Sequence, residues 1–180
     1  MFVDSPLWWW RGRRWAHMIS DSGYDELHRF AQGLGKHRLA FQGDHYDVDE
    51  EMRTAAVAAG AMATDCRDLL RRLRAAGLRR RDPWVVLCHA CTPAAEAATT
   101  ITRLDLGDPL QSTALAALGA LEEPVEVVVL RRSTETGVGL HGSPGRIAAA
   151  PGAASGAASG LEIHVWSQDG RPLVEVVAPR

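Results

Sequence analysis

Histidines and aspartates crowd the first quarter of this chain. His17, His28, His37 and His45, four of its seven histidines, are interleaved there with Asp4, Asp21, Asp25, Asp44, Asp47 and Asp49. Two knots stand out, Trp15-Ala16-His17-Met18-Ile19-Ser20-Asp21 and Gln42-Gly43-Asp44-His45-Tyr46-Asp47. Neutral imidazoles beside carboxylates suit zinc, manganese or iron, whereas carboxylates alone suit magnesium. The same groups serve as general acids and bases near neutral pH. His17 and His45 are the leading candidates, each set among polar residues just outside a regular element. Asp4, Asp21, Asp44 and Asp47 would complete a metal shell or orient the two imidazoles. Plainer roles stand beside these. Asp47 or Asp49 suits a helix N-cap, His28 a contact on a helix flank with Tyr24, and His37 beside Lys36 a solvated surface.

The run Trp8-Trp9-Trp10-Arg11-Gly12-Arg13-Arg14-Trp15 joins aromatics to arginines, the pair that stacks bases and holds phosphates. It also fits a loop folded over the core with snorkelling arginines, and a membrane interface only without the amphipathic helix that such a site uses. Arg13 or Arg14 would hold a phosphate, and Trp15, Gln42 and Tyr46 complete the candidate substrate-binding set. Two further motifs fail on context. Cys88-His89-Ala90-Cys91 has no second ligand pair for structural zinc, and reads as two thiols at a strand end. Gly137-Val138-Gly139-Leu140-His141-Gly142 matches a dinucleotide fingerprint, but Ser143-Pro144-Gly145 follows where a helix is needed. It reads as a mobile glycine loop.

The elements that would carry these residues alternate. Met1 to Val3 suits a short strand ending at Asp4. Ser20-Asp21-Ser22 offers N-caps for a helix whose Leu27, Phe30, Ala31 and Leu34 share one face, with Gly33 and Gly35 as the stop. Arg38 to Phe41 suits a strand. Asp49-Glu50-Glu51 opens a second helix ending near Gly60, a short strand follows through Ala61 to Ala63, and Asp65 caps a third helix carrying Leu69, Leu70 and Leu73. Arg79-Arg80-Arg81-Asp82-Pro83 marks a boundary. Beyond it come a strand from Trp84 to Leu87, a helix from about Pro93, another from Pro109 to Leu121, and a β-branched strand from Val125 to Leu130. Ala148 to Gly160 is low complexity, as in a loop or linker. A hairpin closes the chain, Leu161 to Trp166 and Leu173 to Val177 about Gln168-Asp169-Gly170.

At 180 residues and 19.5 kDa, the chain has room for one domain or two small ones. Hydrophobic residues are 46% and charged residues 23%, which excludes wholesale disorder and a membrane-spanning chain. Twenty basic residues against 22 acidic ones give a net charge of −2, against the bias of a globally basic nucleic-acid binder. Three cysteines are too few for a secreted disulfide framework, and Asp4 stands where a signal peptide would be basic. Both point to a reduced cytoplasm.

The residues Val3-Asp4, Trp15 to His17, Ser20-Asp21, Glu26-Leu27-His28, Phe30-Ala31, Gly35, Phe41 to Val48, Arg53 and Ala59-Gly60-Ala61 resemble domain of unknown function 4031, a small domain of bacteria and phages. The resemblance covers roughly residues 1–80. It carries no established activity, but its Trp-x-His, Glu-Leu-His and Asp-His-Tyr-Asp elements single out Asp4, His17, Asp21, His28, His45 and Asp47.

The expected fold is α/β, with an N-terminal α/β unit over 1–81 and a second, smaller α/β or α+β segment over 82–180 ending in a β-hairpin. The leading functional expectation is a small hydrolase or transferase on a phosphorylated or nucleotide-like substrate, assisted by a divalent metal ion. His17, His45, Asp44 and Asp4 would be its catalytic groups, and His17, Asp21, His28, His45 and Asp47 its metal ligands. Two alternatives are a non-catalytic nucleotide or nucleic-acid binding module using the Trp/Arg run, and a protein-interaction subunit using the C-terminal hairpin edge. No membrane partner is expected.

Overall fold

The computed structural model describes residues 1–143, 160–168 and 170–180. They fall into two compact units, Met1–Pro83 and Trp84–Arg180. The protein is mixed α/β, as its sequence pattern implies. The Ala148 to Gly160 stretch, apart from Gly160, and Asp169 of the hairpin turn lie outside the described residues.

The first unit is organised by a strand that the sequence pattern conceals. β1 (Phe2–Val3), β2 (Trp8–Trp10) and β3 (Arg13–Ile19) are followed by α1 (Tyr24–Gly33), β4 (Tyr46–Asp49), α2 (Glu50–Ala58), β5 (Met62–Ala63) and α3 (Cys66–Ala75). β3 pairs antiparallel with β1, β2 and β4, while β1 pairs in parallel with β5. Side chains alternate across a strand, and here both faces of the sheet are covered. Val3, Ala16, Met18, Tyr46 and Val48 pack with Leu27 and Ala31 of α1 and Ala56 of α2. Phe2 and Ile19 pack instead with Leu69 and Leu73 of α3. The same alternation sends Asp4, His17 and Asp47 toward the α3 side.

Local chemistry explains most boundaries. The Asp65 carboxylate accepts the backbone N–H groups of Arg67 and Asp68, capping α3. Asp49 caps α2 by accepting from the Met52 N–H, while Asp47 lies inside β4. Four expectations are corrected. The Trp/Arg run is a β-hairpin, turned at Arg11 and Gly12, whose φ values of 50° and 73° suit a tight primed turn. Arg38–Ala40 is a 3-10 turn rather than a strand, with Phe41 bridging to Tyr46 alone. No side chain caps α1; the Ser20 hydroxyl takes the N–H groups of Ser22 and Gly23 just before it. His37 is half-buried rather than solvated.

The second unit runs β6 (Val85–Thr92), α4 (Ala94–Arg103), α5 (Leu110–Leu118), β7 (Val125–Arg131), β8 (Glu135–His141), β9 (Glu162–Gln168) and β10 (Arg171–Pro179). Its five strands form an antiparallel sheet in the order β6-β7-β8-β10-β9. Both helices cover one face, where Ala97, Ile101, Leu110 and Ala114 meet Val127, Val138 and Val176. The unit is therefore α+β, and it is the longer of the two. The glycine motif is no loop: residues 137–141 belong to β8, between β7 and β10. Cys88 and Cys91 lie within β6, which extends past Leu87, and both are free thiols.

Gly43 holds the turn into the candidate site. Its φ is +99°, and a Cβ there would sit 3.0 Å from the Asp82 carbonyl oxygen and 3.2 Å from its nitrogen. Gly35 has a similar φ of +76° but open space around it. A left-handed non-glycine residue alone costs about 1–2 kcal/mol. Gly43→Ala is therefore expected to lose more stability than Gly35→Ala in urea denaturation; an equal or smaller loss would contradict the close approach.

Candidate metal centre

Antiparallel pairing of β3 with β4 sets His17 directly opposite Asp47. His45 precedes β4 on the same side, and the His17 and His45 rings meet edge to face with centroids 5.0 Å apart. One ligand atom each from His17, His45 and Asp47 lie within 4.8 Å of one another, a spacing a single ion can bridge.

Each imidazole is held from behind by a buried carboxylate. Asp4 Oδ2 lies 2.8 Å from His17 Nδ1, while Asp4 Oδ1 accepts the His17 backbone N–H at 2.7 Å. Asp44 Oδ1 lies 2.6 Å from His45 Nδ1. The Asp4 and Asp44 side chains are 2% and 1% exposed, against 36% and 20% for their histidines. The Nδ1 atoms are thus occupied on the dry side, and Nε2 is the nitrogen left on each ring. Asp47 Oδ1 sits 3.3 Å from His45 Nε2, without hydrogen-bond geometry.

The carboxylates are themselves anchored. Asp44 Oδ2 accepts from the Arg79 guanidinium at 2.8 Å and the Arg80 backbone N–H at 3.0 Å. The Asp4 carbonyl accepts from Arg53 Nε at 2.6 Å. Burial would raise the Asp44 carboxyl, but His45, Arg79 and the Arg80 N–H together hold it below the usual value. Burial would likewise depress His45, and here Asp44 and Asp47 outweigh it, lifting the imidazole to about 9. Three carboxylates around two imidazoles create a local demand for positive charge, which a proton on His45 meets at neutral pH.

The cluster opens on a cleft of about 270 Å³ lined by Asp4, His17, His45 and Arg79, with Cys66 and the leucines of α3 as the opposite wall. A polar edge facing an apolar wall is the ordinary character of a small-molecule site.

The other candidate residues have different surroundings. Asp21 pairs with Arg72 at 3.4 Å, and His28 Nδ1 meets the Tyr46 hydroxyl at 2.9 Å, its ring packed on Phe41. Among the described residues, the metal-compatible group comprises neither of them. Tyr46 is 1% exposed, its ring in the core. Arg13 pairs with Asp49 at 2.7 Å, Arg14 lies over the Trp9 ring, and the Trp15 indole N–H donates to the Trp10 carbonyl. Gln42 is exposed, and its side-chain amide donates to the Ala40 carbonyl at 3.4 Å. Sequence reasoning missed Arg79 and Cys66. Arg79 belongs to an arginine run that reads as a boundary, and Cys66 is an isolated thiol with no motif around it.

The family model described as Protein of unknown function (DUF4031) matches residues 1–76. That segment is a DUF4031 domain. It contains His17, His45, Asp47, Asp4 and Asp44; Arg79 lies just beyond it. No curated protein and no solved structure matches the chain.

The raised His45 value gives a signed expectation for the metal-free protein. Stability from the charged imidazole is complete below its unfolded value near 6.5 and is lost as pH rises through about 9. The loss is at most on the order of 3 kcal/mol. Urea denaturation in EDTA should show falling stability between pH 6.5 and 9, flattened in His45→Gln. Parallel profiles for the two proteins would contradict the assignment.

Proposed function

We propose that the DUF4031 domain binds a divalent transition metal through Nε2 of His17, Nε2 of His45 and a carboxylate oxygen of Asp47. We propose further that it acts as a small hydrolase or transferase on a phosphorylated or nucleotide-like substrate. The observation that carries this reading is the pair of buried carboxylates on Nδ1. Metal-ligating histidines almost always donate their other ring N–H to such a partner, which fixes the tautomer and raises ligand basicity. Two imidazoles and one carboxylate suit zinc, manganese or iron and leave coordination positions for water and substrate.

A divalent ion held by these three residues would supply Lewis acidity to the reaction. The chain's own groups do the rest. Asp4 and Asp44 hold the rings in place. Arg79, on the cleft wall and partly exposed, offers cationic N–H groups to a phosphoryl oxygen. In this role it replaces Arg13 and Arg14, which do not line this cleft. The leucines of α3 give the non-reacting part of a substrate an apolar surface. Binding costs the proton on His45, so metal affinity rises with pH.

The test is elemental analysis of protein purified without a metal-affinity tag, followed by calorimetric titration with zinc and manganese. About one ion per chain is expected in the wild type and none in His17→Ala/His45→Ala. Asp4→Asn should weaken affinity about 10- to 100-fold, the usual effect of losing such a carboxylate. Hydrolysis of p-nitrophenyl phosphate or its diester should follow metal content. Wild-type protein that takes up neither ion at millimolar concentration overturns the reading.

A further inference from the structure

The aromatic side chains of the β2–β3 hairpin line one face from the turn to the candidate metal centre. The Arg11 guanidinium lies 4.5 Å above the Trp10 ring, and Trp10 meets Trp15 edge-on at 5.7 Å. Trp15 pairs across the strands with Trp8, whose ring overlies His17 at 4.3 Å and 32°. His17 in turn meets His45 at 5.0 Å. Strand alternation keeps Trp8, Trp10, Trp15 and His17 on one face, and puts Trp9 and Arg14 on the other.

Nothing among the described residues covers the outer end of this face. Trp10 is 53% exposed, and among the described residues Arg11 makes no ion pair, only its stacking on Trp10. An indole in water forfeits a large apolar surface, and a soluble protein seldom leaves such a patch bare without a partner. Charge indicates which partner. Residues 7–15 carry Arg11, Arg13 and Arg14 and no acid, and Lys36 sits over the Trp15 ring at 5.5 Å. A guanidinium stacked on an indole keeps its edge N–H donors free for a phosphate. Of the acids close by, Asp49 pairs with Arg13 and Asp47 belongs to the candidate centre, while Glu50 and Glu51 border a depression lined also by Trp9, Gly12, Arg13 and Asp49.

We infer that this face of the hairpin is a binding strip for single-stranded nucleic acid, with bases stacking on Trp10 and toward Trp8 while Arg11 and Lys36 hold phosphates. Stacking of this kind tolerates any base and draws its affinity from aromatic planes and backbone charge. The strip stands without a metal. Its delivery of a phosphodiester to the His17–His45 cluster rests on the function proposed above, and makes the nucleotide-like substrate of that reading a strand rather than a free mononucleotide.

The two faces of the hairpin supply the experiment. Anisotropy of fluorescein-labelled (dT)10 is measured in EDTA at low salt with wild-type protein, Trp10→Ala, Arg11→Ala and Trp9→Ala. Trp9 is 64% exposed, so it matches Trp10 in solvent contact but lies on the wrong face. Trp10→Ala should weaken binding about 5- to 150-fold, the range for one lost base stack. Arg11→Ala should weaken it and flatten the salt dependence, whereas Trp9→Ala stays within about twofold of wild type. Far-ultraviolet circular dichroism confirms that each variant is folded. Equal losses at Trp9 and Trp10, unchanged binding in Trp10→Ala, or no binding by wild type each overturn the inference. So does anionic vesicle binding that depends on Trp10 when oligonucleotide binding does not. Because EDTA removes the metal, failure of the strip and failure of the centre are read separately: oligonucleotide binding with no metal uptake overturns only the centre.

Discussion

The buried carboxylate of Asp4 ties the sheet to the histidine cluster. It sits at the end of β1 and takes both the backbone N–H and the side-chain Nδ1 of His17. One short side chain thereby locks strand register and ring orientation together. The backbone continues the tie, since Asp4 N–H donates to the His17 carbonyl and Arg53 of α2 donates to the Asp4 carbonyl. An unpaired buried carboxylate is costly, so Asp4 needs His17 where it is, and His17 needs Asp4 to present Nε2 outward. Asp44 repeats the arrangement for His45 with Arg79 and the Arg80 N–H as its anchors.

This coupling makes the centre a property of the fold rather than of a loop. The residues that face α3 alternate with residues that face α1 and α2, and a one-residue slip of β3 against β4 would send Ala16 or Met18 into the cleft and His17 into the core. The apolar packing of Val3, Met18, Tyr46 and Val48 therefore fixes the polar geometry on the reverse face. The α3 helix closes the arrangement from the other side, with Leu69 and Leu73 both packing under the sheet and walling the cleft.

Much of this was legible in the residues, and the illegible parts have physical reasons. The caps at Asp49 and Asp65 and the apolar face of α1 are local signals, and local signals survive in a single sequence. His17 and His45 stood out as candidates by their polar neighbours. Their convergence was not legible, because it depends on β3, and Arg13-Arg14-Trp15-Ala16-His17-Met18-Ile19 mixes exposed cations with residues buried on both faces. No simple alternation survives that mixture. The hairpin turn at Arg11-Gly12 was masked for a similar reason, since the flanking tryptophans and arginines read as a recognition loop. The expected strand at Arg38–Phe41 had the right composition, but only Phe41 finds a backbone partner, and the turn before it closes on itself. Residues 137–141 show the reverse error. Glycines suggested a loop, whereas pairing with β7 and β10 on either side makes them a strand.

The central claim is that Asp4 and Asp44 hold Nδ1 of their histidines so that both Nε2 atoms face a metal ion. Long-range proton–nitrogen correlation spectra of the imidazoles, recorded before and after adding one equivalent of zinc, test it most directly. The account predicts that His17 and His45 keep their Nδ1 protons throughout while their Nε2 resonances move together to metal-bound positions. An Nε2 resonance that stays unmoved in either ring with zinc present would contradict it.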